Sequence, residues 1–195
     1  MSRYRRAILS RIEQITPSAW DYDWTSEKGH LDVNNYTLSG VNGYGGGVSY
    51  PATGGVLFTV NNYQNVEAKL NDLVTSGSGA TEMTFNISLL SSRGIDFSIA
   101  SADDSCNIQI INQDGDYMLG VQTEQYQYTY MTGLESTLLN NDCKLRIEFV
   151  EDFNKKVYLN DILIFDGATY KQALNNRIRV RYDSTVLVKD IKWKL

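Results

Sequence analysis

The sequence predicts an all-β chain, a sandwich of jelly-roll type carried behind a helical arm. Three observations predict it. Apolar and polar residues alternate in many short segments, as they do on strands with one buried face. Clusters of Gly, Asn, Asp and Ser separate those segments at short intervals, in a chain of 195 residues with 15 Gly, 13 Tyr and only 2 Pro. Convincing helical spacing occurs once, near the start.

Residues 2–15 supply that helix. Tyr4, Ile8, Ile12 and Ile15 recur at spacings of four, four and three, Ser2 can cap the start, and Pro17 blocks continuation. Arg3, Arg5, Arg6 and Arg11 all precede the first acid, Glu13. The first twelve residues therefore carry +4, and the rest about −9, of a net charge of −5. So short a helix is marginal in water until its apolar stripe docks, either on its own subunit or on a partner chain. The division expected is an arm over residues 1–19 and a sandwich domain over 20–195.

Trp20, Tyr22 and Trp24 alternate with Asp21 and Asp23, so on a strand the aromatics share one face. Such a face is either core or a stacking platform for sugar rings, and core is the favoured reading. Residues 40–55, GVNGYGGGVSYPATGG, lack the Gly-Lys-Ser/Thr ending and the following helix of a phosphate loop, which argues against a nucleotide site. Strands are expected at 56–60, 66–70, 82–90 and 94–100, with a short helix through Leu73 as the alternative for the second. A hairpin at 107–121 turns on Asp114-Gly115, a strong two-residue turn signal. Tyr126, Tyr128 and Tyr130 then alternate on one face, again as core or as a sugar platform, with core favoured. Residues to 142 read as irregular.

The most regular stretch is 145–167, LRIEFVEDFNKKVYLNDILIFDG. Leu145, Ile147 and Phe149 alternate with Arg146 and Glu148, the pattern resumes at Val157, and Asn160-Asp161 turns the chain again, giving a three-strand meander. Arg177 to Tyr182 and Val186 to Trp193 close the chain as a strand pair. The KKVYLND-LI pattern and this closing pair resemble the C-terminal half of concanavalin A-like and laminin G-like β-sandwiches, over about residues 36–195. Asp161 stands where those families usually have Gly. The resemblance implies the fold more than any activity, because such sandwiches serve as lectins, hydrolases and structural proteins alike.

The hydrolases of that fold carry a Glu-x-Asp-x-(x)-Glu run, and this sequence has none. Glu148 and Glu151, three apart, are expected on opposite faces of one strand. The single His, His30, excludes a multi-histidine metal site, and it lacks close spacing to Cys106 and Cys143. The expected reading is therefore no catalytic residues, no metal and no cofactor. Cys106 and Cys143 are read as reduced thiols, since no signal-peptide core or membrane-length segment accompanies them.

The sequence reading places first a non-catalytic structural protein, a phage virion component joined to other subunits through the arm residues Arg3, Tyr4, Arg5, Arg6, Ile8, Arg11, Ile12 and Ile15. Its location is then the virion, with the cytoplasm as the alternative. The second reading is a carbohydrate-binding, lectin-like module using Trp20, Tyr22, Trp24, Tyr126, Tyr128 and Tyr130 on a host glycan. A hydrolase with unrecognised carboxylates ranks third. The acidic body argues against nucleic acid, and no membrane partner is expected.

Overall fold

A computed structural model describes residues 22–25, 36–39, 46–61, 65–70, 82–91, 95–100, 106–151, 153–170, 177–181 and 183–194. The helix read over residues 2–15 lies outside them. In chain order the strands are β1 (Tyr22–Thr25), β2 (Tyr36–Ser39), β3 (Gly46–Ser49), β4 (Val56–Val60), β5 (Asn65–Leu70), β6 (Glu82–Ser91), β7 (Ile95–Ala100), β8 (Cys106–Gln113), β9 (Asp116–Glu124) and β10 (Gln127–Met131). A short helix, α1 (Glu135–Leu138), precedes β11 (Asp142–Glu151), β12 (Asn154–Leu159), β13 (Ile162–Ala168), β14 (Arg177–Arg181) and β15 (Thr185–Lys194). The described chain is thus nearly all β.

Two antiparallel sheets result. The first runs β13-β12-β11-β6-β15-β4-β3, with β1 also paired to β15; the second runs β10-β9-β8-β7-β14-β5-β2. Strands β4 to β7 alternate between the sheets, β8 to β10 stay in the second, and β11 to β13 form the expected meander in the first. The turn between β12 and β13 has positive φ at both Asn160 (50°) and Asp161 (64°), as a two-residue hairpin turn of the primed type requires. The terminal segments do not pair with each other as expected. β14 joins β5 and β7, whereas β15 joins β6, β4 and β1. Val180 and Val186 are both fully buried, so each strand supplies one wall of the core, which a hairpin within one sheet would not allow.

Alternate residues fill the space between the sheets. Val56, Phe58, Phe85, Ile87, Leu145, Ile147, Val157, Val186, Val188 and Ile191 enter from the first sheet, and Val66, Ile108, Ile110, Leu119, Val121, Ile178 and Val180 from the second. Full burial of such a side chain contributes about 1.5–3 kcal/mol. On β15 the inward series passes from Val188 to Ile191 because a bulge between Val188 and Asp190 changes the parity. Lys189, the extra residue, reaches Asp142 at 2.6 Å. The stretch expected to be irregular contains α1, whose Leu138 is fully buried. Next to it Cys143 is a free thiol that donates to the Thr137 carbonyl at 2.8 Å, and burial pushes its pKa up to about 11. That thiol is poorly nucleophilic.

One inward position holds a charge-bearing group. Lys155 lies on the Val157–Leu159 side of β12, fully buried, its Nζ 5.6 Å from the Phe149 ring centroid and bonded to Thr169 Oγ1. Thr169 in turn bonds Phe153 O through both N (2.8 Å) and Oγ1 (2.9 Å), and Tyr170 N reaches Gln122 O at 2.9 Å. The segment after β13 is thereby tied to the second sheet. Burial lowers the Lys155 pKa from 10.5 to about 8. Below about pH 8 the folded protein carries the cost of a buried ammonium; between the folded and unfolded values the unfolded chain binds the extra proton, so stability rises with pH. Lys155→Met should therefore match or exceed the parent at pH 7 in urea denaturation, and the difference should shift in favour of the parent, by roughly 3 kcal/mol, as the pH passes from 7 to 10. A pH-independent difference would show that burial does not lower the Lys155 pKa in the folded state.

Candidate functional site

The second sheet turns one face to the core and one outward, and its outward face is unusual. Register places Tyr130, Gly120, Gln109, Ser98, Arg179, Glu67 and Ser39 opposite one another in sequence, a single row crossing β10, β9, β8, β7, β14, β5 and β2. Arg179 (2% exposed) and Glu67 form an ion pair near one end of this row, and Gln109 is 5% exposed. At the other end lies the aromatic pair of β10.

Tyr130 lies across β9. Its hydroxyl is 3.3 Å from Gln109 Nε2, which donates, and its ring occupies the space a side chain at residue 120 would need. A Cβ on Gly120 would meet Tyr130 Cε1 at 2.6 Å and Cδ1 at 2.9 Å. Glycine is thus present because a ring must approach the backbone, the second use of glycine within strands. Tyr128, two residues earlier on the same face, has its ring 5.8 Å from that of Tyr130 with 24° between the planes. It stands opposite Gln122, whose Oε1 is buried without a hydrogen-bond partner.

Tyr126, Tyr128 and Tyr130 were expected to share a core face, and the structure corrects this. Tyr130 is 42% exposed and Tyr126 is 84% exposed. Tyr128 and Tyr130 do share a face, but it is the outward one, because Thr129 and Met131 stand opposite the inward Val121 and Leu119. Tyr126 precedes the strand, in a turn, at φ 62°. Of the other candidates, Tyr22 and Trp24 sit on β1 opposite Trp193 and Ile191, in the first sheet and away from this cluster. Trp20 and the arm residues Arg3, Tyr4, Arg5, Arg6, Ile8, Arg11, Ile12 and Ile15 lie outside the described residues. Gly120, Gln109 and Gln122 escaped the sequence reading. An isolated Gly within a strand pattern was the available signal for the first.

Glu148 and Glu151 need a second correction. A bulge between Phe149 and Glu151 shifts the register, so that Glu148 stands opposite Lys156 and Glu151 opposite Asn154, and simple alternation does not run through this stretch of β11. Among the described residues no group of three His, Cys, Asp or Glu side chains could hold a metal ion, and no helix is long and apolar enough to cross a membrane.

No family model matches the chain, and no curated protein matches it significantly in sequence. Solved structures do match. The receptor-binding domain of botulinum neurotoxin D superposes with a TM-score of 0.59 at 12% identity, over 90% of this chain and 49% of that one. The serotype D domain has also been solved in complex with N-acetylneuraminic acid, and matches with a TM-score of 0.58 at 12% identity over 90% of this chain and 47% of that one. The carbohydrate-binding module CBM66 from Bacillus subtilis matches with a TM-score of 0.50 at 14% identity, over 83% of this chain and 96% of that one. This chain therefore spans about half the toxin domains but nearly all of the carbohydrate-binding module. At these identities the likeness shows the all-β sandwich fold.

Gly120→Ala tests the close approach of Tyr130. Gly120 is absent from the positive-φ residues, so the methyl group acts by contact alone. It should displace the Tyr130 ring, break its bond to Gln109, and lower stability by about 1–3 kcal/mol in chemical denaturation. Combining it with Tyr130→Ala should remove most of that cost; full additivity would show that the ring is not what the methyl group meets.

Proposed function

We propose that the chain is a non-catalytic glycan-binding module, on a concanavalin A-like jelly-roll sandwich, whose ligand stacks on Tyr128 and Tyr130. The observation that carries this reading is the near-parallel, partly exposed tyrosine pair on the outward face, backed by the buried amides of Gln109 and Gln122. Aromatic rings offer apolar faces for the C–H side of a sugar, while side-chain amides both donate and accept. The strand order supports the jelly-roll assignment, since consecutive strands pass repeatedly between the sheets. Similarity to a carbohydrate-binding module over almost its whole length supports the binding role.

The sequence reading puts virion assembly first and glycan binding second. The order is now reversed. Assembly rests on residues 1–19, which lie outside the described residues, whereas glycan recognition has both a geometry and structurally similar proteins named for binding. A virion location and subunit partners are compatible with it and stay attached to the arm as proposals.

The test is a glycan array probed with the parent chain and with Tyr130→Ala. The variant should lose at least tenfold in affinity for whichever glycan the parent binds. Because the ring is 42% exposed, its removal should cost stability only about 1 kcal/mol, the scale of a cross-strand aromatic pair, and not the several kcal/mol of a buried ring. Parent-like binding by a folded variant would remove Tyr130 from the site.

A further inference from the structure

We infer that the site reads a stretch of a neutral, linear glycan laid along β10, with Tyr126 as its outermost contact. The inference rests on the glycan-binding reading and specifies its ligand. Its first support is Tyr126 itself. A tyrosine at φ 62° occupies a conformation that glycine or asparagine adopts far more readily, and the side chain is 84% exposed, so it gains nothing from the core. Backbone strain under an unburied aromatic group is the kind of outlier that accompanies ligand contacts. Its second support is direction. Tyr126 sits in the turn that opens β10, two residues before Tyr128 and ahead of the register shift between Gln127 and Tyr128, and the 5.8 Å between the Tyr128 and Tyr130 rings is close to the length of one pyranose unit in a chain. A ligand in contact with all three must therefore be an oligomer.

The third support is charge. From Cys106 to Cys143 the sequence contains no Lys and no Arg, but it contains Asp114, Asp116, Glu124, Glu135 and Asp142. Exposed Gln125 and Gln127 flank Tyr126. The basic residue nearest along the sheet row, Arg179, is buried and paired with Glu67. A carboxylated or sulfated sugar would meet Glu124 two residues before Tyr126, in a described segment, Cys106 to Cys143, that supplies no lysine or arginine to receive it. The N-acetylneuraminic acid named for one similar structure is thus a poor guide to the ligand of this face.

The experiment is calorimetric titration of the full chain with neutral hexose oligosaccharides of one to five units, chosen from array hits, and with a sialylated trisaccharide. Affinity should climb about tenfold or more between the monosaccharide and the trisaccharide, with the sialylated sugar binding no better than its neutral core. Tyr126→Gly should lower trisaccharide affinity several-fold, leave monosaccharide affinity unchanged, and raise the melting temperature by relieving the turn. Tyr126→Phe should retain binding. Equal affinities across chain lengths, or Tyr126→Gly binding like the parent, would overturn the extended site while leaving a glycan module in place. Preference for the sialylated sugar would overturn the neutral ligand. Binding to no glycan by a folded parent chain would overturn the underlying reading and this inference with it.

Discussion

The strand that closes the first sheet comes last in the chain, and the rest of the structure depends on it. β15 pairs with β6 along one side, and along the other with β4 and then β1. Without it, β6 and the meander would be one sheet fragment and β3–β4 another, each with an apolar face open to water. Its partners come from residues 22–25, 56–59 and 82–91, so its hydrogen bonds are all remote in sequence. Such non-local pairing makes folding slow, because loop entropy must be spent before the pairing repays it. The bulge at Lys189 reconciles the two halves of the strand. Val186 and Val188 before it, and Ile191 after it, all point into the core.

The second sheet owes its outward face to the same period-two constraint. Tyr117, Leu119 and Val121 are buried inward, which forces Met118, Gly120 and Gln122 outward. Gly120 leaves room there, and Tyr130 fills it from the neighbouring strand. A cross-strand aromatic over a glycine is also a recognised device for stabilising sheets. The two roles are compatible, since the contact that orients the ring on β9 still leaves it 42% exposed. The segment after β13 reaches the same strand, through Tyr170 N to Gln122 O, and is held in turn by Lys155 and Thr169. Core packing and the outward face are mechanically joined at this point.

Strand existence was legible wherever one face is buried and the other wet. Val56 to Val60 alternates buried and half-buried in step with its sequence, as do Leu145 to Glu148 and Val157 to Leu159. What alternation cannot supply is the identity of the sheet or the sense of a face. Val180 and Val186 read the same whether their strands pair or oppose each other. QYQYTY reads as core because three tyrosines alternate; only the neighbouring strand, with Leu119 and Val121 already inward, decides that Tyr128 and Tyr130 look out. Bulges are silent in sequence too, and alternation along β11 gave no sign of the register shift after Phe149. Lys155 broke an apolar series and so passed for a turn residue, though its long stem carries the ammonium to Thr169 in the interior.

Paired carboxylates do occur in the first sheet, and their setting bears on any catalytic reading. Glu148 stands directly opposite Glu82, a separation of about 5 Å between cross-strand neighbours. Acid–base hydrolysis of a glycoside needs such a pair with the scissile bond between its members and one carboxyl able to give a proton. Here the intervening space belongs to Arg146, which is bonded to Glu148 and 4.0 Å from Glu82 Oε1. Tyr158 donates its hydroxyl to Glu148 Oε2 at 3.0 Å, and the guanidinium lies 3.7 Å from the centre of the Tyr158 ring. Two adjacent carboxylates would repel each other across the strands; the guanidinium between them offsets that repulsion and its planar face packs on the tyrosine. The arrangement accounts for itself as a sheet-stabilising network, and it occupies the sheet opposite the tyrosine face. The exposed tyrosine pair therefore lies in the opposite sheet from this carboxylate–guanidinium network.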